Sequence, residues 1–293
     1  MTAGHAPAVC FSESQAMTAN DAIQLTAPDG ASVKLSLQGG HVLSWLPAGG
    51  AEQLYLSPRS EFVPGKAIRG GVPVCFPQFA ERGSLPKHGF ARTLPWELVQ
   101  QEQGKDDALA VLRLCDSDAT RTLWPHAFEL ELSVRVGGSS LDVELACENL
   151  GDTPLQFTAA LHTYLRVGDL DAVSVEGLAG LRYFDSIKQA EALQRMDLLL
   201  TGENGVLDLD RIYFGVKERP LLVTEGRRQV VVRQQGFEDA VVWNPGPERC
   251  AKLADMPPEG WSEMLCVEAA CVGRPVELPA GESWVGRQSL RLE

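Results

Sequence analysis

The sequence predicts an all-β fold, an antiparallel sandwich with little helix, on three observations. Hydrophobic residues alternate with period two along many short segments. Turn formers, 28 Gly and 18 Pro, are spread through the 293 residues and gather in no single linker. Only one segment carries a helix-like pattern. Many short strands with regular turn punctuation imply sheet packed on sheet.

Along the chain, the first alternating segment is SVKLSL, residues 32–37, followed by AVLRLC, residues 110–115. The strongest is FELELSVRV, residues 128–136. It places Phe128, Leu130, Leu132, Val134 and Val136 on one side and Glu129, Glu131, Ser133 and Arg135 on the other. GGSS turns the chain, and LDVELACEN, residues 141–149, resumes the alternation with Leu141, Val143, Leu145 and Cys147. This is a β-hairpin with one buried face. VSVEGL (173–178), QVVVR (229–233) and DAVVW (239–243) are further short strands. The helical pattern is SIKQAEALQRM, residues 186–196, where Ile187, Ala190 and Leu193 recur every three residues. No low-complexity segment, fixed repeat or shift in composition divides the chain. A single domain is expected over residues 20–293, preceded by an N-terminal extension over residues 1–19.

Composition excludes several classes. With 44% hydrophobic and 22% charged residues, the chain has the balance of a folded soluble protein. No apolar run approaches the roughly 20 residues that span a bilayer. The first twenty residues lack a basic stretch followed by an apolar one, so no secretory signal is expected and the chain is assigned to the cytoplasm. Seven cysteines, at 10, 75, 115, 147, 250, 266 and 271, are odd in number and scattered, with no CxxC pair. That argues against a disulfide framework and a structural zinc site, and suits a reducing compartment. The formal net charge is −13, from 26 Lys and Arg against 39 Asp and Glu. Such a balance disfavours nucleic acid and anionic membranes. An anionic small molecule is still compatible, because distant carboxylates are screened beyond about 8 Å. A monomer or weak dimer acting on a small molecule is expected.

Familiar catalytic signatures are absent: no P-loop, no GxGxxG opening a helix, no HExxH and no GxSxG. The five histidines, 5, 41, 88, 126 and 162, never stand at i, i+2 or i, i+4, so no dedicated metal site is expected.

What the sequence offers instead is polar residues set in apolar surroundings. KHGFAR, residues 87–92, gathers Lys87, His88 and Arg92 within six residues of an acidic chain. It reads as a solvated basic turn or as an anion site. Arg69 precedes two glycines, which suit either a bulge or close backbone approach to a ligand. His162 in FTAALHTYLRV falls opposite Phe157, Ala159, Leu161 and Thr163, on the face shared with Ala160 and Tyr164. It is either a hydrogen-bonded structural histidine or a catalyst. Glu268 is the one carboxylate in MLCVEAACV. It either faces solvent or is buried, and burial would raise its pKa toward the range of a general base. Asp210 shares a strand face with Asp208, and a solvated acidic edge accounts for both. An acid, a base and several cations suit the opening of a cyclic sugar hemiacetal. A base removes the anomeric hydroxyl proton while an acid protonates the ring oxygen, each worth roughly 10²–10⁴ in rate.

Seven segments go further: GGHVLSW (39–45), IRGGVPVCFPQF (68–79), LPKHGFARTLPWEL (85–98), LHTYLRV (161–167), LDRIY (209–213), VVWNP (241–245) and MLCVEAA (264–270). In order and spacing over residues 20–290 they resemble the aldose 1-epimerase (galactose mutarotase-like) superfamily, and within it the branch of D-hexose-6-phosphate mutarotases, or glucose-6-phosphate 1-epimerases. The resemblance implies a galactose mutarotase-like β-supersandwich with an open cleft and cofactor-independent interconversion of α and β anomers. It makes Glu268 the base and His162 the acid. It gives His88 and Asp210 the sugar hydroxyls, and makes Arg69 and Arg92 the cations of a sugar-phosphate site, to which Lys87 of KHGFAR would add a further charge. A mutarotase for unphosphorylated or modified sugars is the alternative within the superfamily. A noncatalytic carbohydrate-binding module is a third reading, and it would need neither His162 nor Glu268. Three positions depart from the branch: Lys87 replaces a frequent glutamine, Ser186 a frequent lysine, and Gly246 an aromatic, which would open one wall of the site.

Overall fold

The period-two segments become strands in the computed structural model, which describes residues 22–200 and 208–293. The extension expected over residues 1–19 lies outside the described residues. A small antiparallel sheet is formed by β1 (Ala22–Thr26), β2 (Ser32–Ser36) and β3 (His41–Leu46). A second sheet, of eight strands among the described residues, holds β4 (Val74–Cys75), β9 (Leu155–Leu161), β12 (Arg182–Asp185), β13 (Ala190–Leu193), β15 (Leu209–Tyr213), β18 (Asp239–Asn244) and β19 (Met264–Leu278). Its order is β13-β12-β15-β18-β19-β9-β4, with β10 (Tyr164–Arg166) also paired to β19. A third, of nine described strands, contains β5 (Glu97–Gln103), β6 (Ala108–Cys115), β7 (Phe128–Gly137), β8 (Ser140–Asn149), β11 (Val173–Glu176), β14 (Leu198–Leu199), β16 (Leu221–Glu225), β17 (Arg228–Gln235) and β20 (Ser283–Leu292). Its order is β14-β11-β16-β17-β20-β8-β7-β6-β5.

The hairpin of β7 and β8 shows why these residues make strands. Phe128, Leu130, Leu132, Val134 and Val136 are all fully buried, and so are Leu141, Leu145 and Cys147 on the partner strand. Each such side chain is worth roughly 1.5–3 kcal/mol when removed from water, and a slip of one residue would expose them all. Gly138 supplies the positive φ, +58°, at the turn between the strands.

The eight-stranded sheet differs because it is covered on both faces. On β19, Leu265, Val267, Ala269 and Cys271 join the main core shared with the nine-stranded sheet. Cys266 and Ala270 pack in two smaller clusters on the opposite face. On β18, Ala240 and Val242 enter the main core while Val241 packs on the other side. Hence the first nine residues of β19 are all buried, and the central strand reads as an unbroken apolar run. Glu268 interrupts that run on the face away from the main core.

The helix expected over residues 186–196 is absent. Residues 190–193 instead form β13, paired antiparallel with β12, and all four of its residues are exposed. The turn between them is set by Asp185, whose Oδ1 accepts from the backbone N–H groups of Ile187 and Lys188. Ile187 and Leu193 are exposed, so their three-residue spacing marks no buried helical stripe. Two short α-helices occur elsewhere among the described residues: α1 (Asp118–Leu123), capped reciprocally by Ser117 and Thr120, and α2 (Gly246–Cys250). No helix among the described residues is long and apolar enough to cross a membrane.

The glycines after Arg69 answer to the fold. Gly70 and Gly71 both have positive φ, and a Cβ on either would lie 2.3 Å from the Tyr55 carbonyl oxygen or 2.0 Å from that of Val42. The close approach is to neighbouring backbone, and it carries Arg69 to the edge of the covered face.

Candidate active site

A cleft of about 710 Å³ opens on the outer face of the eight-stranded sheet. Its lining includes every candidate catalytic and sugar-binding residue from the sequence: Arg69, Lys87, His88, Arg92, His162, Asp210 and Glu268. They come from four parts of the chain: the loops of residues 69–92, the break between β9 and β10, strand β15, and the centre of β19. Strand periodicity aims the last two. Asp210 and Ile212 alternate with the core residues Leu209 and Tyr213, just as Glu268 alternates with Val267 and Ala269.

Glu268 is 1% exposed and forms the floor. His162 Nε2 lies 3.4 Å from Glu268 Oε1. His162 is held by its backbone N–H, which donates to Pro73 O, and by its ring, stacked on Tyr164 at 4.8 Å and 12°. Trp243 meets that ring edge-on. Burial pushes the Glu268 carboxyl well above its ordinary value, with Asp210 adding to the shift and Arg92 opposing it. Burial also holds the His162 imidazolium well below the ordinary histidine value, reinforced by Arg92 and Arg69. Glu268 Oε2 and His162 Nδ1 are buried with no hydrogen-bond partner among the described residues.

His88 has a fixed tautomer. The Ala80 N–H donates to His88 Nδ1 at 3.3 Å, and the Cys75 thiol lies 3.1 Å from the same nitrogen. An acceptor at Nδ1 leaves the proton on Nε2. Burial, assisted by His162 and Arg92, keeps this ring neutral by lowering its pKa far below the ordinary value. Its ring stands 5.4 Å from that of His162. His88 is therefore a neutral hydrogen-bond donor.

The cations divide into two kinds. Arg69 donates to Asp255 from Nε at 3.2 Å and to the Tyr164 hydroxyl from Nη1 at 3.0 Å. Its pKa is raised, first by Tyr164 and then by Asp255. Arg92 donates to the Lys87 carbonyl at 3.0 Å, and no carboxylate pairs with it among the described residues. Lys87 is exposed at the rim, as is Arg82, which lies 5.2 Å over the Phe184 ring. Asp210 is paired with Arg249 at 3.4 Å, and Arg249 also binds Asp208 at 3.0 Å.

Of the three departures, Lys87 and Ser186 line the cleft. Gly246 does not open a wall: it is buried at φ +62°, its N–H donates to Asn244 Oδ1, and neighbouring Pro245 lines the cleft in its place. Tyr164, Asp255, Cys75 and Trp243 were not singled out in the sequence. Tyr164 follows His162 by the strand period of two, which is a usable signal. Asp255 is 186 residues from Arg69, and no local pattern joins them.

The family model described as aldose 1-epimerase matches residues 21–291. A relative from Escherichia coli K12 with the name "Putative glucose-6-phosphate 1-epimerase" is 39% identical over 255 residues, covering 85% of this chain and 84% of its own. One of the same name from Cenchrus ciliaris is 35% identical over 266 residues, covering 88% and 80%. The crystal structure of a Salmonella typhimurium mutarotase, also named with that qualifier, superposes with a TM-score of 0.84 at 30% identity, covering 94% and 92%. The galactose 1-epimerase of Lactobacillus acidophilus has the same fold, with a TM-score of 0.72 at 15% identity over 93% and 94% of the two chains.

Proposed function

The chain belongs to the aldose 1-epimerase family, and on that premise we propose that it interconverts the α and β anomers of a hexose 6-phosphate, glucose 6-phosphate foremost, in the cytoplasm. The observation that carries this reading is the buried contact of His162 Nε2 with Glu268 Oε1, 3.4 Å apart on the floor of a cation-lined cleft. The curated relatives' names supply the phosphosugar.

The pair shares one proton in its working state. With Glu268 as carboxylate and His162 protonated, Glu268 takes the proton of the anomeric hydroxyl and its electrons form the carbonyl. The bond from the anomeric carbon to the ring oxygen breaks, and the ring oxygen takes the His162 proton. Glu268 is then protonated and His162 neutral, the forms that burial favours. The open aldehyde rotates, and the ring oxygen adds to its other face. His162 recovers its proton and Glu268 returns one to the new hydroxyl. His88 donates to a sugar oxygen and Asp210 accepts from a sugar hydroxyl. Arg92 and Lys87 hold the phosphate. At 4 Å each charge pair is worth roughly 1 kcal/mol in water and about 4 kcal/mol in a partly screened cleft. Arg69, already matched by Asp255, steadies Tyr164 and the loop.

That pairing of Arg69 favours a second reading, a mutarotase for unphosphorylated sugars, because it leaves fewer cations for phosphate. Saturation-transfer NMR separates the two. Exchange between the anomers of glucose 6-phosphate is expected to exceed that of glucose and galactose at equal enzyme. Faster exchange of a neutral sugar would favour the second reading, and no exchange of any sugar would leave only a binding module.

A further inference from the structure

Cys266 lies two residues before Glu268 on β19, so both side chains leave the strand on the same face. The thiol of Cys266, a ring nitrogen of His162 and a carboxylate oxygen of Glu268 all lie within 4.8 Å of one another. All three residues are buried. Glu268 Oε2 and His162 Nδ1 have no hydrogen-bond partner among the described residues, so the group has unused coordinating capacity in a place where unpaired polar atoms are costly. Cys266 is not part of the cleft lining; it packs below, with Tyr164, Met256 and Met264.

We propose that His162, Cys266 and Glu268 form an inhibitory site for a thiophilic divalent cation, Zn²⁺ foremost, within the floor of the active site. One thiolate, one imidazole and one carboxylate form a donor set suited to zinc. With bonds of about 2.0 Å to nitrogen and oxygen and 2.3 Å to sulfur, tetrahedral donors sit about 3.3–3.6 Å apart. The His162–Glu268 separation of 3.4 Å already matches one such edge, and the remaining closure is a side-chain adjustment. The fourth position faces the cleft and takes a water molecule. Thiolate and carboxylate together cancel the charge of the ion, so the buried complex is neutral. Binding releases the Cys266 proton, and that of Glu268 where it is protonated. Arg69 and Arg92 act against the ion, the first with its charge offset by Asp255. The expectation of no metal site rested on histidine spacing, which cannot register one histidine joined to two residues a hundred positions away.

Such an ion occupies the two groups that anomer exchange needs, so it inhibits that exchange. The inhibition rests on the proposed function, but the binding does not. The test titrates Zn²⁺ into chelator-treated protein against a chromophoric zinc indicator. In parallel, Cd²⁺ is added to read the ultraviolet thiolate-to-metal band, and exchange is followed by NMR. One ion per chain, a thiolate band, and exchange that falls with zinc and returns with chelator are expected. Cys266→Ser should keep its metal-free exchange, lose the band, bind zinc at least ~10-fold more weakly and escape inhibition. His162→Asn should lose the band as well, which keeps the test decisive if Cys266→Ser fails to fold. A wild type that binds no zinc or shows no band, a band that persists in His162→Asn, or a Cys266→Ser variant as zinc-sensitive as wild type overturns the site. Zinc bound as described without inhibition would instead count against the assigned exchange chemistry.

Discussion

Burial moves Glu268 and His162 in opposite directions, and their combined titration is the property of a pair. A second proton is added only below the ordinary histidine value, because His162 resists charging. The last proton leaves only above the ordinary carboxylate value, because Glu268 resists ionising. Exchange should therefore follow a bell-shaped kcat/KM profile with its acid limb below about 6.5 and its alkaline limb above about 4.5. In Glu268→Gln any residual rate should lose the acid limb, because no carboxylate is left to protonate, and keep only the alkaline limb set by His162; an acid limb left unmoved would assign it to another group. The cations make a separate residue-level claim. Arg92→Ala removes charge-assisted hydrogen bonds worth about 1.5–3 kcal/mol, which weakens phosphosugar binding roughly ten- to hundredfold. Glucose binding should change far less. Arg69→Ala also frees Asp255 and Tyr164, so it should weaken both sugars. Calorimetry with both ligands decides, and equal losses in Arg92→Ala would remove phosphate from its role.

Elements bring these residues together through strand alternation and a few backbone constraints. The β7–β8 hairpin was legible because one of its faces is wet and the other dry. β19 carried no alternation of polarity, since both its faces are covered, yet Glu268 stood out there for the same reason. The helical reading of residues 186–196 failed because side-chain spacing says nothing about which face is buried. Pairing with β12 and the Asp185 turn decided that segment. The Gly70–Gly71 pair was seen as permissive, but only the structure shows what it approaches. Gly71→Ala, with φ at +63° and a Cβ 2.0 Å from Val42 O, should destabilise the protein by about 2–4 kcal/mol. Urea denaturation checks this, and a midpoint equal to wild type would show that the loop relaxes freely.

On the scale of the whole molecule, the main core fixes the two large sheets while the proposed catalytic pair sits on the outer face of one. Its two halves come from residues 162 and 268, and its cations from residues 69–92. The family's motifs marked these residues as candidates in sequence, but Asp255, which pairs with Arg69, had no local sign. Placing the site at a buried face also ties stability to pH. His41 is fully buried, donates to Gly70 O at 2.7 Å, and is lowered to about 4 by burial, the Gly70 hydrogen bond opposing and Arg92 assisting. Its folded pKa is below the unfolded one, so the unfolded chain binds the extra proton between them. Stability is full above about 6.5 and falls through that window toward pH 4, by on the order of 3 kcal/mol for this group. Glu268 acts with the opposite sign, being raised in the fold, and is common to wild type and variant. His41→Gln, which can still donate to Gly70 O, should flatten the slope between pH 6.5 and 4 in urea titrations. An unchanged slope would place the acid sensitivity elsewhere.

The most direct test of the central claim, that His162 and Glu268 open the sugar ring as acid and base, is the exchange rate between the anomers of glucose 6-phosphate. It is measured by saturation transfer in wild type, His162→Asn and Glu268→Gln, each shown to be folded by its circular dichroism. The account predicts at least ~10²-fold loss in each variant, with phosphosugar binding retained because Arg92 and Lys87 are untouched. Wild-type exchange in either folded variant would contradict it.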